Sequence, residues 1–353
     1  MLRQHVGEVN STGALTRRAV VEAVDGRGRG CPSDGPAWLA TAPTPSRRLF
    51  LAGALSLGFW GRVGALAAVP SETTDAVKAA LYRAEKAGLK GLGTTATEHY
   101  VAVGDSLEAF RKEALDLCER LGASFLSHFR AKGFELDWPA SPMTVVALAS
   151  RESYVAFKGT PASEFEGGYY EVLADRLVIF DFREGGADAP APPANARRIN
   201  TFSLVHEANH QLTFGTRMLD RKADVPVALS EGLATYGELW QSARPIIGQV
   251  NRPRLAVLSN PGGVVWIEVQ RLLTDDDLFR NPETEQLAYA EAWLLVAQLL
   301  KTKAGTARLI AYLDRLRGKN DPGTRLSDAT EALGDLNRLD RELKRSANLL
   351  IRR

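Results

Sequence analysis

Residues 206–210 read His206-Glu207-Ala208-Asn209-His210, and residues 226–236 read Pro226-Val227-Ala228-Leu229-Ser230-Glu231-Gly232-Leu233-Ala234-Thr235-Tyr236. The first string lies in a segment whose apolar positions Phe202, Val205 and Leu212 recur at helical spacing. Asn200 or Thr201 is its candidate N-cap and Gly215 its stop. On a helix, residues four apart share a face, so His206 and His210 present two imidazoles to one point. Glu207 is offset by about 100°, close enough to reach a water at that point without displacing a ligand. A zinc ion that hydrolyses needs a third protein ligand and one open position. Glu231 is the candidate: it follows His210 by 21 positions, room for a helix end, a turn and a second helix returning beside the first. The small Gly232 that follows it suits close packing on a neighbour.

Outward from this pair, residues 200–353 read almost entirely as helix, with breaks around 220–226, 251–263, 275–283 and 318–323. The Gly/Ala/Pro stretch 185–196 before them reads as a loop or linker. Upstream the character is mixed. Residues 73–90 predict a helix ending at Gly91, and 97–103 (T-E-H-Y-V-A-V) alternate like a strand. Residues 106–132 carry Leu107, Phe110, Ala114, Leu117, Leu121 and Phe125 at helical spacing, with Gly133 as a stop. The run 143–148 predicts a buried strand, 152–157 a short helix, and 168–181 a hairpin turning near Ala174-Asp175. No repeat of solenoid length is present. The expected fold is therefore α+β: a small N-terminal sheet with helices and the histidine-bearing helix (69–215), then a helical subdomain (216–353).

The N-terminus reads as an address. Ser46-Arg47-Arg48-Leu49-Phe50-Leu51 pairs a twin arginine with an apolar run and resembles a twin-arginine export signal. The run to Trp60 has the length of a signal h-region, and Ala65-Leu66-Ala67 supplies small residues for cleavage near Val69. Residues 46–68 are thus the expected signal peptide, with an uncleaved membrane anchor at 49–68 as the alternative. Residues 1–45 are either a disordered long n-region or lie upstream of a later translation start. Expected location is periplasmic or extracellular, with the twin-arginine export machinery as a partner and a membrane as one only if the signal stays uncleaved.

Composition narrows the classes. A formal net charge of +2 over 353 residues, with no basic stripe interleaved with aromatics, argues against nucleic acid as a partner. Cys31 and Cys118 are the only cysteines, too few for a thiolate zinc site, and Cys118 reads as a small buried residue on a helix. His99 and His128 lack ligand spacing and read as structural. No G-x-S-x-G elbow, Walker loop or usable dinucleotide fingerprint occurs.

H-E-A-N-H-Q followed by A-L-S-E-G-L-A-T-Y-G-E resembles the gluzincin (thermolysin-like) zinc metallopeptidases, and more closely the peptidase-MA-like bacterial proteins of unknown function. The likeness extends at pattern level from Glu98 to the late helix bearing Tyr289-Ala290-Glu291-Ala292-Trp293. The resemblance implies a zincin-like fold, His206, His210 and Glu231 as zinc ligands, and Glu207 as general base toward a water whose pKa zinc lowers. It also implies a donor to the tetrahedral oxyanion. Tyr289 is the first candidate, since in some gluzincins a Tyr on a later helix does this, and Tyr236 is the second. Thr235 and Glu238, one and two turns after Glu231, are candidates for orienting a ligand histidine. Strand residues 177–182 either offer an edge to an extended peptide or lie inside the sheet. The expected function is an exported zinc-dependent peptidase acting on a peptide or protein substrate. The alternatives are a non-catalytic zinc-binding or surface-interaction module and a hydrolase of non-peptide amides.

Overall fold

The computed structural model describes residues 74–162, 166–183, 196–259 and 265–352. The expected signal at 46–68, residues 1–45 and all but the end of the 185–196 stretch lie outside them. Among the described residues no helix is long and apolar enough to cross a membrane.

The fold is α+β. In chain order its elements are α1 (Asp75–Lys86), β1 (Gly93–Ala96), β2 (Tyr100–Gly104), α2 (Glu108–Ala131), β3 (Met143–Leu148), α3 (Arg151–Lys158), β4 (Gly168–Glu171) and β5 (Arg176–Phe180). The second half is helical: α4 (Ala196–Gly215), α5 (Val227–Gly237), α6 (Arg252–Leu258), α7 (Val269–Thr274), α8 (Glu285–Leu299), α9 (Lys303–Leu316), α10 (Arg325–Leu333) and α11 (Leu336–Ile351). The sheet order is β1-β2-β3-β5-β4. The central pairs β2/β3 and β3/β5 are parallel, and each outer strand is antiparallel to its neighbour.

Both faces of the sheet are covered, which is why β3 and β5 read as continuous apolar runs. Successive side chains alternate between faces. Met143, Val145 and Ala147 of β3, with Leu177 and Ile179 of β5, meet α2 through Leu115, Cys118, Leu121 and Phe125, and α4 through Val205, Ala208 and Leu212. Val146, Leu148, Val178 and Phe180 meet α1 and α3 on the other face. Full burial of one such Leu, Val or Phe side chain is worth about 1.5–3 kcal/mol. Gln211 Nε2 donates to the Thr144 carbonyl of β3 at 2.9 Å, which pins α4 to the sheet with a hydrogen bond as well as by packing.

The core under α2 and α4 continues without a break into α5, α8, α9 and α11. The two expected halves, 69–215 and 216–353, therefore share one interior. α5 lies against α8 at Gly232, where an added Cβ would sit 2.6 Å from the Ala292 carbonyl oxygen. Gly237, at the other end of α5, abuts the Asn209 side chain of α4. α5 is thus wedged between α4 and α8 at two glycines, where it contributes no side chain of its own.

Several expectations need correcting. The strand expected at 97–103 begins only at Tyr100. Residues 97–99 form the turn from β1, a strand that sequence reading did not predict, with the Thr97 N–H bonded to the Tyr100 carbonyl at 2.9 Å. α1 ends sooner than Gly91 because Gly88 adopts φ +79° and breaks the helix. α4 starts at Ala196, before the expected caps Asn200 and Thr201. Phe202 is no core residue: it is 42% exposed. β5 is interior, and the open side of the sheet at that end belongs to β4. The 168–181 hairpin is as expected, and Asp175 takes the positive φ (48°) of its turn.

Candidate metal centre

α4 presents His206 and His210 on the face turned away from the sheet, while Ala208, Asn209 and Leu212 are buried in the body. The two rings lie 5.0 Å apart between centroids and nearly perpendicular, at 78°. α5 delivers Glu231 opposite them. His206 Nε2 and His210 Nε2 each lie 3.3 Å from the same atom, Glu231 Oε2. Ligand atoms of these three side chains all fall within 4.8 Å of one another. In a tetrahedral zinc site with bonds of about 2.0–2.1 Å, adjacent ligand atoms are separated by about 3.3–3.4 Å. Both nitrogen-to-oxygen edges have that length.

A second layer fixes which nitrogen of His206 faces Glu231. His206 Nδ1 meets Glu238 Oε2 at 3.1 Å. Glu238 is almost wholly buried. Its Oε1 accepts from Asn251 Nδ2 at 2.5 Å and Arg254 Nε at 3.1 Å, and its Oε2 also accepts from Arg254 Nη2 at 3.2 Å. Burial raises Glu238's pKa, and the His206 and Arg254 contacts outweigh it and hold the carboxyl below its ordinary value. An ionised carboxylate only accepts, so His206 must donate through Nδ1–H and keep its Nε2 lone pair for the site.

Both imidazoles therefore turn an Nε2 atom toward the same carboxylate oxygen. Glu231 Oε2 is buried, and no group other than the two imidazoles is hydrogen-bonded to it among the described residues. Burial opposes charge on His206, yet the Glu231 and Glu238 carboxylates outweigh it and push the imidazole's pKa up to about 10. Burial likewise opposes charge on Glu231, and His210 and His206 hold it well below the usual carboxylate range. The pocket calls for a positive charge at this point, and a divalent cation with N and O preferences fits the donor set.

A cleft of about 430 Å³ opens beside these ligands. Its walls include His206, Glu207, Tyr289, Arg254, and Gly167 and Gly168 at the start of the edge strand β4. Burial raises the Glu207 pKa, with His206 and His210 opposing the rise. Tyr289, on α8, packs edge-on to Phe279 at 5.4 Å and lies under the Arg254 guanidinium at 5.1 Å. Burial first, then the charges of Glu231 and Glu207, drives its phenol pKa up, so it stays a donor. Its hydroxyl makes no hydrogen bond among the described residues, unlike that of Tyr236.

Tyr236 does not line this cleft. Five positions past Glu231, it is turned about 140° around α5. Its hydroxyl meets His128 Nε2 at 3.2 Å in an aromatic cluster with Phe129. His99 is stacked on Trp138 at 3.9 Å and paired with Glu119, far in sequence from the ligands and outside their cluster. Cys118 is a free, buried thiol on α2 with its pKa raised by burial. Of the two expected orienting residues, Glu238 does contact a ligand, while Thr235 turns its hydroxyl back to the Glu231 carbonyl at 2.6 Å. Sequence reasoning missed Asn251, Arg254 and the β4 lip. The first two reach Glu238 from 13 and 16 positions away with no periodic signal.

Residues 199–321 match a family described as "Protein of unknown function (DUF1570)". The match runs from within α4 to just past α9, so it holds every residue of the candidate centre from His206 to Tyr289 and none of the sheet. No curated protein matches the chain.

Proposed function

We propose that this chain is a zinc-dependent metallopeptidase of the gluzincin type. The observation that carries the reading is the pair of 3.3 Å contacts that bring both Nε2 atoms onto one buried Glu231 oxygen, with Glu207 and Tyr289 in the adjoining cleft. His206, His210 and Glu231 would hold the ion. A zinc ion bound there supplies Lewis acidity, lowering the pKa of a water toward neutrality and polarising a carbonyl.

The remaining chemistry belongs to side chains. Glu207 takes a proton onto its carboxylate as the water attacks the carbonyl carbon, then passes it to the leaving amine nitrogen. Tyr289 donates its O–H to the oxygen on which charge develops. β4 is an outer strand of the sheet, and its first residue Gly168 lies in the cleft wall with Glu207 close by, a Cβ there meeting Glu207 Cγ at 3.6 Å. An extended peptide can pair along that edge, which presents a scissile amide to the ligands and supports a peptide over other amides. Export through the twin-arginine route is part of the proposal and rests on residues 46–68 alone.

The test is to purify the protein, measure bound metal, and compare hydrolysis of a broad protein substrate by wild type and Glu207→Gln. One equivalent of zinc in both, with activity in wild type reduced about 10²–10⁴-fold in the variant, is expected. Zinc with no activity in either would make this a non-catalytic metal-binding module. No metal binding would end both readings.

A further inference from the structure

Arg254 is the residue that the metal reading does not yet explain. It sits at the third position of α6, a helix of seven residues whose first turn is organised around Glu238. Asn251, fully buried, caps α6 by accepting the Arg254 N–H on Oδ1 at 3.2 Å, and with its Nδ2 it donates to Glu238 Oε1 at 2.5 Å. Arg254 then forks across both oxygens of the same carboxylate, Nε to Oε1 at 3.1 Å and Nη2 to Oε2 at 3.2 Å. With His206 Nδ1 the carboxylate has four donors for its four lone-pair directions. The other face of the guanidinium covers the Tyr289 ring, 5.1 Å from its centroid. One side chain therefore touches the carboxylate that orients a metal ligand and the aromatic proposed to bind the oxyanion.

We propose that Arg254 is a positioning residue that couples the two halves of the centre, fixing His206 through Glu238 and Tyr289 through its ring. This rests on the zinc reading above. A planar fork is what the geometry uses: a lysine ammonium is a point charge that cannot span both Glu238 oxygens and lie flat on the phenol at once. Without the fork, Glu238 keeps two of its four donors and is free to turn, so the Nδ1–H of His206 loses its fixed acceptor. Tyr289 loses the plane that holds it.

The measurements are zinc affinity by competition with a chromophoric chelator, and kcat and KM on a peptide at saturating zinc, for wild type, Arg254→Met and Arg254→Lys. Arg254→Met retains the apolar stem and removes the fork. Expected are a zinc affinity weakened about 10–100-fold in Arg254→Met, a partial loss in Arg254→Lys, and a fall in kcat at full zinc occupancy with KM little changed. Circular dichroism of the apo forms checks that the fold persists. Should Arg254→Met fail to fold, Arg254→Lys carries the test through its cobalt-substituted visible spectrum, expected to differ from wild type as the ligand field at His206 changes. Zinc affinity within twofold of wild type in the folded variants, or a wild-type cobalt spectrum in Arg254→Lys, overturns the coupling role. Wild type that binds no zinc removes the metal reading and this inference together, whereas tight zinc in every variant removes the inference alone.

Discussion

Replacing Gly232 by Ala asks whether the packing of α5 on α8 sets the geometry of the centre. A Cβ at position 232 would lie 2.6 Å from the Ala292 carbonyl oxygen and 2.8 Å from Val296 Cγ2, where ordinary contact begins at 3.4 Å. The obstructing oxygen is helix backbone and cannot swing aside, so the two helices must part by about 0.8 Å, the difference between 2.6 and 3.4 Å. Alanine gains about 1 kcal/mol of helix propensity over glycine, and overpacking costs about 1–3 kcal/mol. The balance is a loss of about 0–2 kcal/mol, which a domain with about 5–15 kcal/mol of stability survives. Function is hit harder. Glu231 is the residue before Gly232 on α5, and Tyr289 lies on α8, so a shift near 0.8 Å moves the proposed ligand against the proposed oxyanion donor. Metal sites tolerate about 0.2 Å, and a misplacement near 1 Å costs about 100-fold in rate. Expected for Gly232→Ala are a melting temperature lowered by a few degrees, intact far-UV circular dichroism, and kcat/KM on a peptide reduced about 10–100-fold. A variant that melts higher than wild type and cleaves as fast would refute the reasoning, because the propensity gain would then stand unopposed and α5 could not be packed as described.

Tyr289→Phe should lower kcat about 10²–10³-fold with KM little changed. Tyr236→Phe should leave kcat within about twofold and cost only about 0.5–1.5 kcal/mol of stability from the lost contact with His128; equal effects of the two on kcat would contradict the site assignment. Treatment with a chelator should leave the secondary structure intact, since the core does not depend on the ion, and lower the melting temperature. At zinc a thousandfold above its Kd the lost stabilisation is about 4 kcal/mol, and calorimetry with and without zinc reads it. Glu291 supplies a pH dependence away from the ligands. Burial raises its pKa to about 8, with a hydrogen bond from the Ile267 N–H opposing the rise. The folded state therefore holds its proton more tightly than the unfolded chain. That contribution is complete below the unfolded value of 4.5 and is lost as pH rises through about 8; the full span is worth at most about 5 kcal/mol. Glu291→Gln, which keeps an acceptor for Ile267, should melt higher than wild type at pH 8–9 and converge with it near pH 5. Melting curves that stay parallel across that range would show that Glu291 is not held neutral.

The centre was legible from the sequence to the extent that helical spacing determines it. His206 and His210 share a face because they are four apart, and Glu207 follows from the same period. Glu231 needed only a chain reversal of plausible length. Glu238 was reachable because it lies two turns beyond Glu231 on the same side. Arg254 and Asn251 were not, since they meet Glu238 across a loop and no local pattern marks a long-range hydrogen bond. Tyr289 and Tyr236 could be separated only by packing: one faces an open cleft and the other is turned into α2. In the fold, α2, β3 and the β4/β5 hairpin were legible because their apolar periods are unbroken. β1 was not, since Gly93-Thr94-Thr95-Ala96 carries no alternation and is held mainly by pairing with β2. α4 began before its best-looking caps because Ala196 and the arginines after it favour helix more than Asn200 or Thr201 interrupt it. The interior place of β5 was in fact signalled by Leu177-Val178-Ile179-Phe180, a run apolar on both faces.

β4 bears on which chains could pair along the cleft. Its open side offers main-chain groups over only four residues, and its last residue Glu171 is already tied to Arg83 and Arg176. A guest must therefore lie straight for a few residues and give up its own internal pairing to do so. Rigid helices and inner strands cannot do this. In a peptidase such as we propose, the lip would sort targets by slackness before any side chain is read, favouring loops, tails and misfolded chain. The same shortness, with Glu171 closing one end, leaves a second copy of the protein little to grip.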